Sequence, residues 1–267
     1  MPFIEANGQH LYHERRGSGP RLLFLNGSGA TLVTSAPVID AFVPHFDVVA
    51  YDQRGLGRSL ERDGAPAPYA MADLAADAVA LLDAVGWPTA RVVGVSFGGM
   101  VAQELAVTVP DRIERLALLC TSPGGAGGSS YPLHELAALE PDERAARAVG
   151  LLDERFTAEW LCGHPVDRAL ADMFAERQQA ARSDVQRQGE AAQMEARRHH
   201  DVWDRLGAVT CPTFVGCGRF DPIAPVANGE RIASRLADVE LHVYEGGHPF
   251  WAQDPAAFPD VMAFLGR

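Results

Sequence analysis

Short, continuous apolar runs alternate along the chain with longer stretches of helical period. The runs are Arg21–Leu25, Asp47–Asp52, Val92–Val95, Leu116–Cys120, Thr213–Gly218 and Val239–Tyr244. Apolar character without a polar alternate is expected of a strand covered on both faces. Between them, Leu74, Ala78, Leu81, Leu82 and Val85 form a helix stripe that Gly86 and Pro88 terminate. A second stripe, Met100, Val101, Leu105 and Ala106, closes before Pro110, and a further helix is expected between Thr34 and Val43. At the amino end, Asn7-Gly8 turns residues 3–16 into a predicted β-hairpin. The last helix is predicted to follow Asp254 as N-cap, with Pro255 at its first position.

From Thr121 the pattern changes. Pro123 to Ser130 is rich in glycine and serine, and residues 133–206 are rich in Ala, Arg and Glu with helical spacing and no strand-like run. Helices are expected over Val166–Ala181 and Gln186–Arg198. Strands alternating with helices, linked by right-handed crossovers, predict an α/β fold: a mostly parallel, doubly wound sheet. The expected organisation is a core of residues 1–122 and 206–267 interrupted by a helical cap over 123–205.

Composition narrows the function classes. Acidic residues outnumber basic ones, 35 against 23, for a formal net charge of −12. That balance argues against nucleic acid and anionic membrane surfaces as partners. No apolar run approaches the roughly 18 residues of a membrane span, and the Met1–Glu5 end lacks the features of a signal peptide. A cytoplasmic location is therefore expected. Cys120, Cys162, Cys211 and Cys217 form no CxxC pair, and no metal site is expected. Cys120 and Cys217 read as small buried hydrophobes.

The chemistry centres on Gly94-Val95-Ser96-Phe97-Gly98, where a predicted strand turns sharply into a helix. Small residues two positions either side of Ser96 let strand and helix meet, and the turn pushes the hydroxyl out at the sheet's carboxyl edge. Two further polar groups follow strands: Asp221 in Gly218-Arg219-Phe220-Asp221-Pro222, and His248 in Gly246-Gly247-His248. A serine hydroxyl needs a base, and an imidazole needs a carboxylate to fix its tautomer. Ser96, Asp221 and His248 are accordingly the candidate nucleophile, acid and base. Asp221 before Pro222 could equally start a turn, and His248 could be a plain loop histidine. A tetrahedral intermediate also needs two donors. The amide of Phe97 is one candidate; the other lies in Asn26-Gly27-Ser28-Gly29, with Ser28 favoured over Gly27 or Gly29. His199-His200 is read as a solvated pair, and the arginines at 177, 182, 187, 197 and 198 as a solvated helix face.

With these residues in view, the chain resembles the α/β-hydrolase fold superfamily over nearly its whole length outside 123–205. Val95-Ser96-Phe97-Gly98-Gly99 matches the nucleophile elbow, and Gly218-Arg219-Phe220-Asp221 and Gly247-His248 match the acid and base motifs. Asp52-Gln53-Arg54-Gly55-Leu56-Gly57-Arg58-Ser59 matches a loop read as structural. A looser likeness is to small esterases of the 3-oxoadipate enol-lactonase type. One departure is Asn26-Gly27 where the superfamily often has His-Gly.

The resemblance implies a cofactor-free serine hydrolase taking a small carboxylic ester or lactone through an acyl-enzyme. Perhydrolysis, C–C bond hydrolysis and acyl transfer use the same three groups and stay open. A receptor that has kept the fold and lost turnover is the contrasting class. The apolar residues of the insertion, including Leu136, Leu151, Leu152 and Met173, are read as cap core more readily than pocket wall.

Overall fold

The computed structural model describes residues 2–267. Strands β1 (Phe3–Ala6) and β2 (Gln9–Gly17) form the hairpin, with Asn7 and Gly8 both at positive φ in the turn. They are followed by β3 (Arg21–Leu25), β4 (Asp47–Tyr51), β5 (Ala90–Val95), β6 (Ile113–Leu119), β7 (Thr213–Gly218) and β8 (Val239–Tyr244). The eight strands make one sheet in the order β1-β2-β4-β3-β5-β6-β7-β8. Pairing is antiparallel at β1–β2 and β2–β4 and parallel from β4 to β8.

The continuous apolar runs are explained by burial on both faces. Within β3, Leu23 and Leu25 enter one core while Leu22 and Phe24 enter the other; Val49 and Tyr51 alternate with Val48 and Ala50 in the same way. The first core is closed by α3 (Met71–Ala84) and α4 (Phe97–Thr108), through Leu74, Leu81, Met100 and Leu105. The second is closed by α1 (Leu32–Phe42) and α10 (Ala257–Leu265), through Ile39, Phe42, Phe264 and Leu265.

Two helix starts differ from the sequence reading. Helix α1 begins at Leu32 because Thr31 caps it in a reciprocal box with Thr34. The last helix begins at Ala257, not at Pro255. The Asp254 carboxylate does not cap it; one oxygen accepts from the Ala256 amide and the other from the Glu245 amide, tying down the loop after β8. A short helix α2 (Gly57–Asp63) begins within the Asp52–Ser59 loop. That loop is structural in its bonding. Asp52 accepts from the amides of Leu32 and Arg58, and Arg54 makes a buried, two-pronged ion pair with Asp77.

Between β6 and β7 the ordered elements are helical: α5 (Pro141–Gly150), α6 (Ala158–Gly163), α7 (Pro165–Gln179) and α8 (Asp184–Arg198), with α9 (Val226–Arg235) following β7. A small apolar cluster of Leu136, Ala148, Leu151 and Ile223 joins this segment to the loop after β7. Leu152 is buried as well, whereas Met173 is 54% exposed. Among the described residues, no helix is long and apolar enough to cross a membrane.

Candidate active site

Strand β5 and helix α4 meet at an angle that leaves no room for side chains at their crossing. A Cβ on Gly94 would lie 2.4 Å from the Gly98 carbonyl oxygen, and one on Gly98 would lie 2.0 Å from that of Leu25. Ser96 sits at the apex with φ 54° and ψ −115°, a conformation costing a non-glycine residue on the order of 1–3 kcal/mol. It is held there from both sides. The Ser96 amide donates to the Leu119 carbonyl at 2.8 Å, and its own carbonyl accepts from Thr121 Oγ1 at 2.8 Å and from the Gly99 amide at 2.9 Å.

The loops after β7 and β8 bring the other two groups to this apex. The Asp221 carboxylate is fully buried and divides its oxygens between two tasks. Oδ1 accepts from the amides of Ile223 and Ala224, at 2.8 and 3.0 Å. Oδ2 stands 2.7 Å from His248 Nδ1. Asp221 thus starts a turn and also faces the histidine, so the two sequence readings hold together. His248 Nε2 lies 2.9 Å from Ser96 Oγ. Because a carboxylate only accepts, Nδ1 carries the proton and Nε2 is left to accept from the serine hydroxyl. A serine–imidazole–carboxylate relay is therefore formed across 152 residues of chain.

The inserted helices hold the histidine loop. The His248 amide donates to the Leu152 carbonyl, and the Gly247 amide donates to Gln253 Oε1 at 2.8 Å. Gln253 Nε2 in turn reaches Asp153 and Asp167 at 2.9 and 3.0 Å. Asp153 is fixed by Arg155, and Asp167 accepts from the Trp160 indole. Apart from Gln253, these partners lie far from His248 in sequence, which is why spacing alone could not reveal them.

On the opposite side of Ser96 lies the Asn26–Gly29 loop, with Gly27 packed against the Ser96 side chain: a Cβ there would be 3.6 Å from Ser96 Cβ. The amide of Phe97 opens α4 and has no carbonyl four residues back to bond. In the loop, the Gly29 amide is committed to Gln193 Oε1 at 2.7 Å, which removes it from the three donors considered. Asn26 faces inward and donates to the Tyr51 carbonyl at 3.1 Å.

Nearby thiols are not rival nucleophiles. Burial, with the Asp221 charge adding to it, pushes the Cys120 thiol well up, and burial pushes Cys217 up to about 12. Both stay protonated at neutral pH. His242, within β8, stacks on Phe214 with ring centroids 4.7 Å apart. Two surface readings need correction. His199 is exposed beside Glu195, but His200 is buried and neither ring nitrogen has a protein partner. Arg197 is buried and Arg177 half-buried, because α8 turns Arg197 onto Ser130 and Tyr131 and α7 turns Arg177 onto the Gly29 carbonyl.

A family model described as the alpha/beta hydrolase fold matches residues 20–254. Among relatives, a protein of Variovorax paradoxus named for carbamate hydrolysis, RutD, is 32% identical over 96% of both chains. A 3-oxoadipate enol-lactonase of Acinetobacter baylyi is 28% identical over 90% of this chain and 85% of its own. Among solved structures, the enol-lactonase of Burkholderia xenovorans LB400 superposes with a TM-score of 0.81 at 24% identity, covering 100% of both chains.

Proposed function

The chain belongs to the α/β-hydrolase fold family, and on that premise we propose that it hydrolyses small carboxylic esters or lactones through an acyl-enzyme formed on Ser96. The observation that carries this reading is the unbroken relay from Ser96 Oγ through His248 to Asp221, with links of 2.9 and 2.7 Å. Ser96 Oγ attacks the carbonyl carbon as His248 Nε2 takes the hydroxyl proton. Asp221 steadies the imidazolium and keeps the ring oriented. Negative charge gathers on the carbonyl oxygen, and the amides of Phe97 and Ser28 are the donors assigned to it. Collapse breaks the ester bond, and the departing alkoxide leaves with the proton from His248. Water, deprotonated by the same nitrogen, then attacks the acyl-enzyme and returns Ser96 to its hydroxyl form. Every step is nucleophilic or acid–base chemistry, so the cycle needs no cofactor.

A small ester or lactone substrate is supported by the likeness to lactonase relatives and by a serine that is only 8% exposed beneath the inserted helices. Residues 123–205 act as a cap over the site in this reading. Four free cysteines suit a reducing compartment, and the protein is assigned to the cytoplasm. The test is a panel of p-nitrophenyl esters, lactones and enol-lactones, run with the wild type and Ser96→Ala. Turnover of at least one class that disappears in the variant is expected; equal rates in both would rule the reading out.

A further inference from the structure

Among the functional loops, Asn26–Ala30 depends most on groups far away in sequence. The Ala30 amide donates to the Gly27 carbonyl at 3.2 Å, making residues 27–30 a tight turn with Gly29 at φ 61°. The softest part of such a turn is its central peptide, between Ser28 and Gly29. Rotating that plane interconverts turn types, and any strain in it is passed to the adjoining Gly27–Ser28 peptide, which carries the Ser28 amide. Nothing in the core strands fixes this plane. Two residues of the inserted helices act on this turn, one on the amide of the central peptide and the other on the carbonyl of the Gly29–Ala30 peptide that follows it.

Gln193 of α8, completely buried, accepts from the Gly29 amide at 2.7 Å. Arg177 of α7 donates to the Gly29 carbonyl at 2.6 Å. Gln193 is itself held, because its Nε2 donates to Gln53 Oε1 at 2.8 Å. Gln53, also completely buried, donates through Nε2 to the Asn26 carbonyl at 3.1 Å. A polar ring therefore runs from the Asn26 carbonyl through two side-chain amides back to the Gly29 amide. Backbone groups of fixed polarity stand at each end of it, so neither glutamine can flip without losing bonds at both ends. Among the described residues, Arg177 has no carboxylate within bonding distance, and the Gly29 carbonyl is the one hydrogen-bond acceptor its side chain reaches.

We infer that Gln193 and Arg177 are positioning residues for the oxyanion donor loop. They clamp the two polar groups of Gly29 so that the Ser28 amide, with no acceptor of its own, stays aimed at the reacting carbonyl. Through them the inserted helices set the rate of the chemical step and not only the shape of the pocket. This rests on the acyl-enzyme reading above.

The test compares two inhibitors of matched shape: a trifluoromethyl ketone, which forms a charged hemiketal with a serine nucleophile, and its unfluorinated methyl ketone. Gln193→Met and Arg177→Met are expected to weaken trifluoromethyl ketone binding roughly 10- to 100-fold, somewhat less than outright removal of an oxyanion donor. The same factor should appear in kcat. KM and methyl ketone affinity should change no more than about threefold, and Arg177→Lys should restore most of the loss by keeping a donor. A loss shared equally by both ketones, or folded variants with unchanged kcat, would overturn the inference. Should Gln193→Met fail to fold, the half-exposed Arg177 pair decides the matter alone. Failure of the wild type to bind the trifluoromethyl ketone at all would instead sink the acyl-enzyme reading.

Discussion

The roles proposed for Ser96, His248 and Asp221 can be separated by substitution. Ser96→Ala removes the attacking atom, and kcat should fall by at least about 10³-fold, as expected where the members of such a relay act as a unit. Asp221→Asn is the more informative change. An amide oxygen can still accept from Ile223 and Ala224, so the turn survives, while the buried negative charge facing His248 is lost. A kcat reduced about 10³- to 10⁴-fold with an unchanged melting temperature is expected, read from ester turnover and thermal unfolding on the same sample. Ser96 also stores backbone strain at φ 54°. Ser96→Gly should therefore melt about 2–4 °C above Ser96→Ala, since relief of roughly 1 kcal/mol shifts a chain of this size by that amount. The three residues were legible in the sequence because each follows a strand-like run. The second task of Asp221, and the committed state of the Gly29 amide, needed coordinates.

Among the elements, the strands were the most legible, since burial on both faces writes an apolar run that little else imitates. Helix boundaries failed where a polar side chain was spent elsewhere. Asp254 anchors the loop after β8 instead of capping α10, and the sequence shows only that an aspartate precedes a proline. The inserted helices were legible as helices but not as partners. Gln193 sits 164 residues from the Gly29 amide it receives, within a stretch of alanines and charges that suggests a solvated face. The crossing of β5 and α4 makes its own prediction. In Gly98→Ala the new methyl would meet the Leu25 and Asn26 carbonyl oxygens at 2.0 and 2.7 Å, and backbone cannot rotate out of the way as a side chain can. A loss of at least about 2 kcal/mol is expected, measured by urea unfolding, together with loss of activity as the elbow is forced open.

The molecule as a whole pairs a sheet whose strand ends bring Ser96, Asp221 and His248 together with inserted helices that brace the His248 and Asn26–Gly29 loops. That design predicts a pH response that the relay itself does not set. Burial holds the His200 imidazole, at the end of α8, down to about 4 from 6.5. Its folded value lies below its unfolded one, so its contribution to stability is complete above about pH 6.5 and is lost as pH falls toward 4. Between pH 7.5 and 5 the wild type should lose about 2 kcal/mol more stability than His200→Gln, which cannot titrate. Asp77 acts in the opposite sense: burial raises it to about 6, so its contribution is lost as pH rises through that value. The difference between the two proteins, read from paired unfolding curves, isolates the histidine. The most direct test of the central claim is rapid acid quench of the enzyme during turnover of a p-nitrophenyl ester, followed by peptide mass mapping. One equivalent of acyl group on the peptide containing Ser96, absent in Ser96→Ala, is the predicted result; full turnover with that peptide unmodified, retained in Ser96→Ala, would contradict it.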